Sequence, residues 1–315
     1  MNLRAGTRGS ALALQQARYV ASLIESEHPS IRVELVIIKT TGDKILDAPL
    51  AMIGGKGLFT KEIEEALLDR RVDIAVHSMK DLPTELPNGL KVGAILQRED
   101  PRDVFVSVDG RRLEDLASGE KVGTSSLRRK AFLLNRFRDL EVVSIRGNLD
   151  TRLRKIQAEG LAGIMLASAG MKRMRLGDRI TTYMEPEFMI PAIGQGALGV
   201  EIRDNDPEVD SIVSRMNHEE TALCVRIERA FLRRMGGGCQ VPLAAFARAN
   251  GDAMTVFAAV VHPDGKPVIR ETYTGPQGTP AVGAQIADTL VSRGADAVMR
   301  SVTGDDWLLG PETEE

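Results

Sequence analysis

A single thiol at Cys239 follows three glycines, Gly236–Gly238, and stands three residues before Pro242. Glycines remove the side chains that would shield a neighbouring atom, and they allow positive φ. The spacing therefore indicates an accessible sulfur that could carry a covalent group. The alternative is a helix that ends at a glycine cap, with a cysteine that happens to follow. Spacing alone leaves both interpretations open.

A carboxylate and an ammonium group follow a strand-like apolar run. Residues 72–78 predict a buried strand, and Lys80 and Asp81 come directly after it. Ligands of open α/β sheets bind at the carboxyl ends of strands, so Asp81 is a candidate catalytic acid or base beside a cation. An exposed ion pair before the turn at Pro83 is the alternative.

Guanidinium and hydroxyl groups recur where other predicted strands end. Three hydroxyls, Thr124–Ser126, open a helix that continues with two arginines, a pattern that favours an anion site. The basic residues with such a placement are Arg8, Lys80, Arg128, Arg129, Arg146 and Arg152. Because solvated faces rarely repeat this placement, we expect one cleft that binds a polyanion. A helix N-cap is the alternative for Ser10 and for one of the three hydroxyls.

The composition limits the class of protein. A chain of 315 residues suggests two or three domains, and 43% hydrophobic with 27% charged residues is typical of a soluble globular protein. The net charge of −3 means that any basic function is local. No signal peptide or membrane span is evident, so we expect a cytoplasmic protein without a membrane partner. Two cysteines argue against a disulfide framework, and the four histidines lack metal-ligand spacing, so we expect no metal.

Alternating strands and helices must position these groups. The predicted helices cover 11–27, 58–71, 113–117, 218–235 and 281–292, with one more opening at 124. The predicted strands cover 31–38, 72–78, 104–108, 121–123, 141–145, 163–166 and 200–202. The glycine pattern of 194–199 is no dinucleotide site, since a strand follows it instead of a helix. The irregular segment 39–57 is typical of a lid.

Breaks in the pattern near 97–101 and 191–196 predict paired crossings between two α/β lobes with the cleft between them. We expect domain 1 over 1–96 and 197–216, domain 2 over 97–196, and domain 3 over 217–315. In domain 3, Asn250-Gly251 and Asp264-Gly265 separate β-rich runs and predict a small antiparallel sheet. The acidic tail from Gly304 is expected to be loose.

The motifs together resemble the porphobilinogen deaminase (hydroxymethylbilane synthase) family. The run Glu228–Phe231 and the cysteine segment Met235–Leu243 resemble its cofactor-attachment signature. Further blocks in family order are 7–10, 54–59, 76–83, 97–103, 123–129, 146–148 and 194–196. The resemblance covers nearly the whole chain. The chain departs from the family pattern at Ala11, Gln15 and 243–246, which we interpret as packing positions.

The resemblance implies a transferase of tetrapyrrole and heme biosynthesis. It would condense four porphobilinogen molecules head to tail into hydroxymethylbilane, releasing ammonia, on a dipyrromethane cofactor bound to Cys239 through a thioether. Asp81 would be the catalytic carboxylate. The implied cofactor- and substrate-binding residues are Arg8, Ser10, Ser78, Lys80, Thr124, Ser125, Ser126, Arg128, Arg129, Arg146, Asn148, Arg152, Arg173 and Gln195. A flap over 39–57 would include Lys56, with Phe59 following it.

The implied fold has two doubly wound lobes similar to type II periplasmic binding proteins and a small α+β C-terminal domain, in a monomer. A solute-binding module of the same architecture is the competing class. The expected lack of an export signal and an extra domain with one accessible thiol favour the enzyme. A DNA-binding regulator would need a helix-turn-helix, which we do not find, so no nucleic-acid partner is expected.

Overall fold

Two compact units make up the part of the chain that the computed structural model describes, which is residues 1–44, 57–237, 241–304 and 307–311. The first unit contains Met1–Glu99 and Ala197–Ala222, and the second contains Asp100–Gly196 and Leu223–Glu315. No helix within these described ranges is long and apolar enough to cross a membrane. The division into three domains stays a prediction.

The helices and strands alternate through most of the chain. The strands are β1 (Asn2–Thr7), β2 (Arg32–Ile37), β3 (Ile74–Ser78), β4 (Leu90–Ile95), β5 (Asp103–Ser107), β6 (Lys121–Gly123), β7 (Glu141–Val143), β8 (Gly163–Ala167), β9 (Thr182–Tyr183), β10 (Leu198–Arg203), β11 (Leu243–Asn250), β12 (Ala253–Val261) and β13 (Val268–Pro276). The helices are α1 (Ala11–Glu27), α2 (Thr41–Lys44), α3 (Lys61–Leu68), α4 (Leu127–Arg136), α5 (Leu149–Ala158), α6 (Ser168–Arg173), α7 (Pro207–Val213), α8 (Glu219–Arg234), α9 (Ala281–Ser292) and α10 (Ala295–Thr303).

A five-stranded sheet with the order β2-β1-β3-β10-β4 forms the centre of the first unit. Strands β1, β2 and β3 run parallel, and β10 runs antiparallel to β3 and β4. Successive side chains of a strand point to opposite faces. Ile74 and Val76 of β3 accordingly pack with α1 and α7, whereas Ala75 packs with α3. Both faces are covered, as in a doubly wound fold.

The second unit contains a sheet with the order β7-β6-β8-β5-β9. It repeats the pattern of the first sheet: three parallel strands whose middle member comes first in the chain, followed by one antiparallel neighbour. The expected fold class, two doubly wound α/β lobes and a small C-terminal α+β part, is confirmed. In both sheets the carboxyl ends of the parallel strands share one edge.

The C-terminal sheet is antiparallel with the order β11-β12-β13, as the two glycine turns predict. Gly251 and Gly265 both have positive φ, at 59° and 85°. One face of this sheet packs against α8, α9 and α10. Its other face, with Phe246 and Phe257, shares a core with Phe105 of β5. This shared core explains why the second lobe and the C-terminal sheet fall within one compact unit.

The elements that the sequence pattern does not predict include β4, β9, α5, α7 and α10. Strand β4 carries a glycine, Gly93, at a bulge in its pairing with β10. A Cβ on Gly93 would lie 2.7 Å from Ile202 Cδ1. The close packing of β4 on Ile202 therefore requires glycine here, although glycine is unfavourable inside a strand. The helix expected over 58–71 is shorter, at Lys61–Leu68. Within the expected irregular segment, α2 is one helical turn and residues 45–56 lie outside the described ranges.

Candidate functional site

Asp81 lies just after β3, in a 3₁₀ helix of one turn, Met79–Asp81. Met79 anchors this turn: its side chain is buried and its N–H donates to the Ala197 carbonyl at 3.0 Å. Gly199 makes room for it, because a Cβ there would overlap the Met79 sulfur. The anchored turn leaves the Asp81 carboxylate exposed and Lys80 half-buried beside it. This is the arrangement that a candidate acid or base requires.

The first turn of α1 reaches the same sheet edge, since β1 and β3 are parallel neighbours. Ser10 is the N-cap of α1 and accepts a hydrogen bond from the Ala13 N–H at 3.3 Å. Arg8 stacks over the Phe59 ring, with Cζ 4.1 Å from the centroid. Stacking fixes the plane in which a guanidinium aims its donors. Ser78 accepts from Gln16 Nε2 at 3.3 Å.

The three hydroxyls before α4 are each engaged locally. Ser126 caps α4 by accepting from the Arg129 N–H at 3.4 Å, and Thr124 Oγ1 accepts from the Ser126 N–H at 3.2 Å. Ser125, which is exposed, donates to the Ile145 carbonyl. The capping interpretation therefore holds for Ser126. The helix N-terminus still carries a partial positive charge beside these groups.

Local hydrogen bonds fix the turn that precedes α5, which lies next to those hydroxyls. Asn148 is the N-cap of α5 and accepts from the Thr151 N–H at 3.0 Å. Arg152 Nε donates to the Gly147 carbonyl at 2.8 Å, and Gly147 has a positive φ of 115°. Arg146 precedes this turn and is half-buried. Two helix N-termini and two arginines thus lie at one edge of the second sheet.

Arg128 and Arg129 both bind a carboxylate of the protein itself. Arg128 donates to Asp103 at 2.6 and 3.1 Å and to the Ile190 carbonyl at 2.6 Å. Arg129 donates to Asp103 at 2.9 Å from Nε, lies 2.8 Å from it at Nη2, and donates to the Met165 carbonyl at 3.1 Å. All three charged side chains are buried. The sequence predicts both arginines as ligand contacts, and that role remains a prediction.

The buried cluster carries more positive than negative charge. Burial by itself raises the pKa of the Asp103 carboxyl, but the charges of Arg128 and Arg129 outweigh it and hold that pKa below its usual range. Burial lowers the pKa of Arg129, and the charge of Asp103 offsets part of that effect. Two guanidinium groups thus share one carboxylate, which leaves a positive potential that favours anions nearby.

Gln195 and Arg173 hold the segment that the sequence predicts as a crossing. Gln195 Nε2 donates to the Pro101 carbonyl at 2.7 Å and to Asp103 at 2.9 Å. Arg173 donates to the Gly196 carbonyl at 2.7 Å. Both predicted binding residues therefore have a structural role in this conformation. Their contact with a ligand stays a prediction.

A fully buried carboxylate secures the same segment from the C-terminal part of the unit. Glu228 of α8 accepts from the Gly194 N–H at 2.7 Å and from the Ala247 N–H of β11 at 2.8 Å. Carboxylates that accept backbone N–H groups form the stronger class of hydrogen bond. Glu228 therefore connects α8, β11 and the segment around Gly194.

Cys239 and Lys56 lie outside the described residues. Helix α8 ends just before the cysteine segment, and Gly236 and Gly237 both have positive φ, at 82° and 62°. The other cysteine, Cys224, lies on α8 and is buried in the core that α8 shares with the C-terminal sheet, as a packing residue would be.

Comparison with known proteins decides the family. A model described as "Porphobilinogen deaminase, dipyromethane cofactor binding domain" matches residues 3–211, and "Porphobilinogen deaminase, C-terminal domain" matches 222–292. The porphobilinogen deaminase of Syntrophotalea carbinolica is 52% identical over 301 residues, covering 95% of this chain and 96% of that protein. That of Pelobacter propionicus is 50% identical and covers 95% and 97%.

The chain belongs to the porphobilinogen deaminase family. Among solved structures, a TRAP periplasmic solute-binding protein from Desulfovibrio salexigens has a TM-score of 0.42 at 12% identity, covering 70% of this chain and 73% of its own. The effector-binding domain of BenM with benzoate has a TM-score of 0.42 at 14% identity, covering 68% and 89%. Likenesses at this level do not bear on the reaction.

The donor set fits the cofactor of the porphobilinogen deaminase family. A dipyrromethane with acetate and propionate groups is a polyanion, and guanidinium groups and helix N-termini are the donors that carboxylates favour. Arg146, Asn148 and Arg152 lie together with the α4 N-terminus at one sheet edge. Among the described residues no cluster of side chains could hold a metal ion.

Sequence reasoning missed the role of Asp103. The residue stands at the start of the apolar run Asp103–Ser107, which forms the buried strand β5. A charged residue at the edge of a buried strand needs a partner, because burying an unpaired charge is costly. That need for a partner is the signal available in the sequence. Asp103 was instead interpreted only as part of a motif of the porphobilinogen deaminase family.

Proposed function

We propose that this chain is a porphobilinogen deaminase. It condenses four porphobilinogen molecules head to tail, releases ammonia at each step and yields hydroxymethylbilane for tetrapyrrole and heme biosynthesis. Family models that match 3–211 and 222–292 support this assignment. The structural observation that carries it is an exposed carboxylate, Asp81, in an anchored turn at the carboxyl end of a parallel strand.

Asp81 acts where charge develops. When porphobilinogen loses ammonia, positive charge appears on its pyrrole nitrogen, and a fixed carboxylate stabilises that charge without reorganising. In its protonated form the same side chain can donate a proton to the leaving amine, and the carboxylate that results can accept one from the pyrrole carbon, so that the ring regains aromaticity. General acid–base catalysis of this kind is worth about 10²–10⁴-fold. Lys80, half-buried beside Asp81, contributes to binding the substrate carboxylates.

Arginines and helix N-termini bind the growing product. Each porphobilinogen adds an acetate and a propionate, and guanidinium forks bind carboxylates bidentately. Arg8, Arg146 and Arg152 are the side chains best suited to direct contact. Arg128 and Arg129 share the single charge of Asp103, so the three side chains together keep a net positive charge. They contribute to product binding through the positive potential of this buried cluster.

Cys239 holds a dipyrromethane cofactor through a thioether. The cofactor supplies the nucleophilic pyrrole carbon from which the product grows. Gly236 and Gly237 keep the backbone before Cys239 free of side chains and in a conformation that other residues rarely adopt. We also propose a cytoplasmic monomer that acts on a small molecule, with no nucleic-acid or membrane partner. Light scattering on a size-exclusion column tests the monomer.

The intact mass of the purified chain tests this function. We expect a mass excess equal to two pyrrole units over the mass calculated from the sequence. Cys239→Ser should lack this excess mass. Cys224→Ser, the matched control that changes the other cysteine of the chain, should keep it. A chain without the adduct, or Cys239→Ser with it, would refute the attachment. Conversion of porphobilinogen to hydroxymethylbilane by the loaded chain completes the test.

A further inference from the structure

The C-terminal segment Trp307–Pro311 is bound to the end of α8. The Trp307 indole N–H donates to the Met235 carbonyl at 3.2 Å, and the Gly310 N–H donates to the Arg234 carbonyl at 2.8 Å. The last carbonyls of a helix have no partner within the helix. The segment supplies partners for two of them. The expectation that the tail from Gly304 is loose is therefore wrong for this segment.

A side chain of α8 strengthens the contact. Arg234 donates from Nη1 to the Gly310 carbonyl at 2.6 Å and from Nε to Asp288 of α9 at 2.7 Å. Gly310 is thus held on both its N–H and its carbonyl. The Trp307 ring packs against the hydrophobic core that α8 shares with α9 and α10.

Glycines on both sides make the approach possible. A Cβ on Gly236 would lie 2.8 Å from the Leu308 carbonyl oxygen and 3.0 Å from Trp307 Nε1, and one on Gly310 would overlap the Arg233 carbonyl. Gly236 also has a φ of 82°. The backbone at the end of α8 therefore contacts the backbone of Trp307–Pro311, and a side chain at Gly236 or at Gly310 would separate them.

The contact lies at the start of the segment that carries Cys239. The Gly236 and Gly237 N–H groups donate back to the Arg233 and Leu232 carbonyls at 3.0 and 2.9 Å, the pattern of a Schellman cap. Gly237 is two residues before Cys239 in the chain. On the far side of the cysteine, Val241 packs against the same core as Trp307.

We propose that Trp307–Pro311 is a clasp that fixes the base of the cofactor-carrying segment, and that Trp307 and Gly310 are its positioning residues for the attachment of dipyrromethane to Cys239. The clasp lies beyond the C-terminal family model, which ends at residue 292. This inference rests on the proposed function. It assigns a role in cofactor loading to the C-terminal segment.

Gly310→Ala should open the clasp by adding one carbon atom, since the new Cβ would overlap the Arg233 carbonyl. Trp307→Phe keeps an aromatic ring, although a smaller one, and removes the N–H donor, and truncation after Thr303 removes the clasp altogether. Leu308→Ala is the matched control, because this neighbouring side chain is 79% exposed. Trp307 is the only tryptophan of the chain, so its fluorescence reports release of the clasp in Gly310→Ala.

Two measurements decide the outcome. In Gly310→Ala and in the truncated chain, amide hydrogen exchange of residues 235–243 should rise at least about tenfold, as expected for the loss of two or three hydrogen bonds. Exchange in α9 should stay unchanged. Loading of the apo chain with porphobilinogen, followed by intact mass, should slow by a similar factor, with Trp307→Phe between these variants and Leu308→Ala equal to the unaltered chain.

Other results overturn the clasp. Exchange that rises equally in α9 and in 235–243 would show a general stabilising segment, and local exchange that rises without slower loading would refute a positioning role. Unchanged exchange at 235–243 would show that the contact fixes nothing. If the unaltered chain never gains the adduct, the proposed function fails, while the exchange measurement still decides whether the clasp orders residues 235–243.

Discussion

The Asp103 carboxylate and the Arg128 guanidinium form a bidentate pair inside the second unit, with donor–acceptor distances of 2.6 and 3.1 Å. Neither side chain is more than 5% exposed. The pair joins β5 to the first turn of α4, and Arg129 completes it from the next position in the chain. A carboxylate of the protein thus binds the two arginines that the sequence pattern predicts as ligand contacts, and their contact with a ligand stays a prediction.

Asp103→Asn should destabilise the protein strongly. The change leaves two buried guanidinium groups without their counter-charge, and breaking a buried pair from one side costs about 3–5 kcal/mol. Urea denaturation of both chains measures the difference in the free energy of unfolding. Asp139→Asn, an exposed carboxylate in the same unit, should change it by less than about 0.5 kcal/mol. Equal effects of the two changes would contradict the structural role of Asp103.

The stabilisation by Asp103 should depend on pH with a definite sign. Its pKa in the folded protein lies below the usual range, so the folded state binds this proton less readily than the unfolded state. The contribution is complete above the usual carboxyl range and is lost as the pH falls through the folded pKa. The difference between the unaltered chain and Asp103→Asn should therefore be constant from pH 8 to about pH 5 and shrink below that.

Asp81→Asn should reduce kcat by at least about 100-fold, since general acid–base catalysis contributes about 10²–10⁴. The side chain is exposed, so the fold and the urea midpoint should be retained. Steady-state kinetics with porphobilinogen measures the loss, and Asp178→Asn serves as the exposed control. Asp81→Glu keeps the charge but moves it, and should also lower kcat. Near-normal turnover of Asp81→Asn would end its assigned role.

Glu64→Gln should stabilise the protein at neutral pH. Burial raises the pKa of the Glu64 carboxyl, and the charge of Glu201 adds to this, while the Thr60 hydroxyl and His77 offset part of it. The folded state therefore binds the proton more tightly than the unfolded state, and stability falls as the pH rises through the folded pKa. Thermal unfolding at several pH values should show the gain of Glu64→Gln at pH 7 and its disappearance below the usual carboxyl range.

Gly283→Ala should separate two helices that touch through their backbones. A Cβ on this residue of α9 would overlap the Ile227 carbonyl of α8 and lie 2.8 Å from the Phe231 nitrogen. Overpacking of this kind costs about 1–3 kcal/mol or more. Gly177→Ala is the control, since nothing lies within 4 Å of the Cβ that it adds. Thermal unfolding compares the two, and equal midpoints would show that α8 and α9 adjust without cost.

The fold class was predictable because hydrophobic periodicity reports which residues are buried. Strand β3 and helices α1 and α9 follow this rule closely, and the glycine turns at 251 and 265 predict the C-terminal sheet. Strand β4 departs from it, since Gly93 serves a bulge that is visible only in the pairing with β10. Periodicity cannot report such a pairing.

The sequence by itself determined the residue types at the strand ends, the family and the position of the cysteine that we propose for cofactor attachment. Only the tertiary structure decided what those residues touch: that Arg128 and Arg129 enclose Asp103, that Glu228 holds the Gly194 segment, and that Trp307 binds the end of α8. The physical reason is that a charge or a helix end needs a partner, but the partner lies far along the chain. A local pattern shows the need and not the residue that meets it.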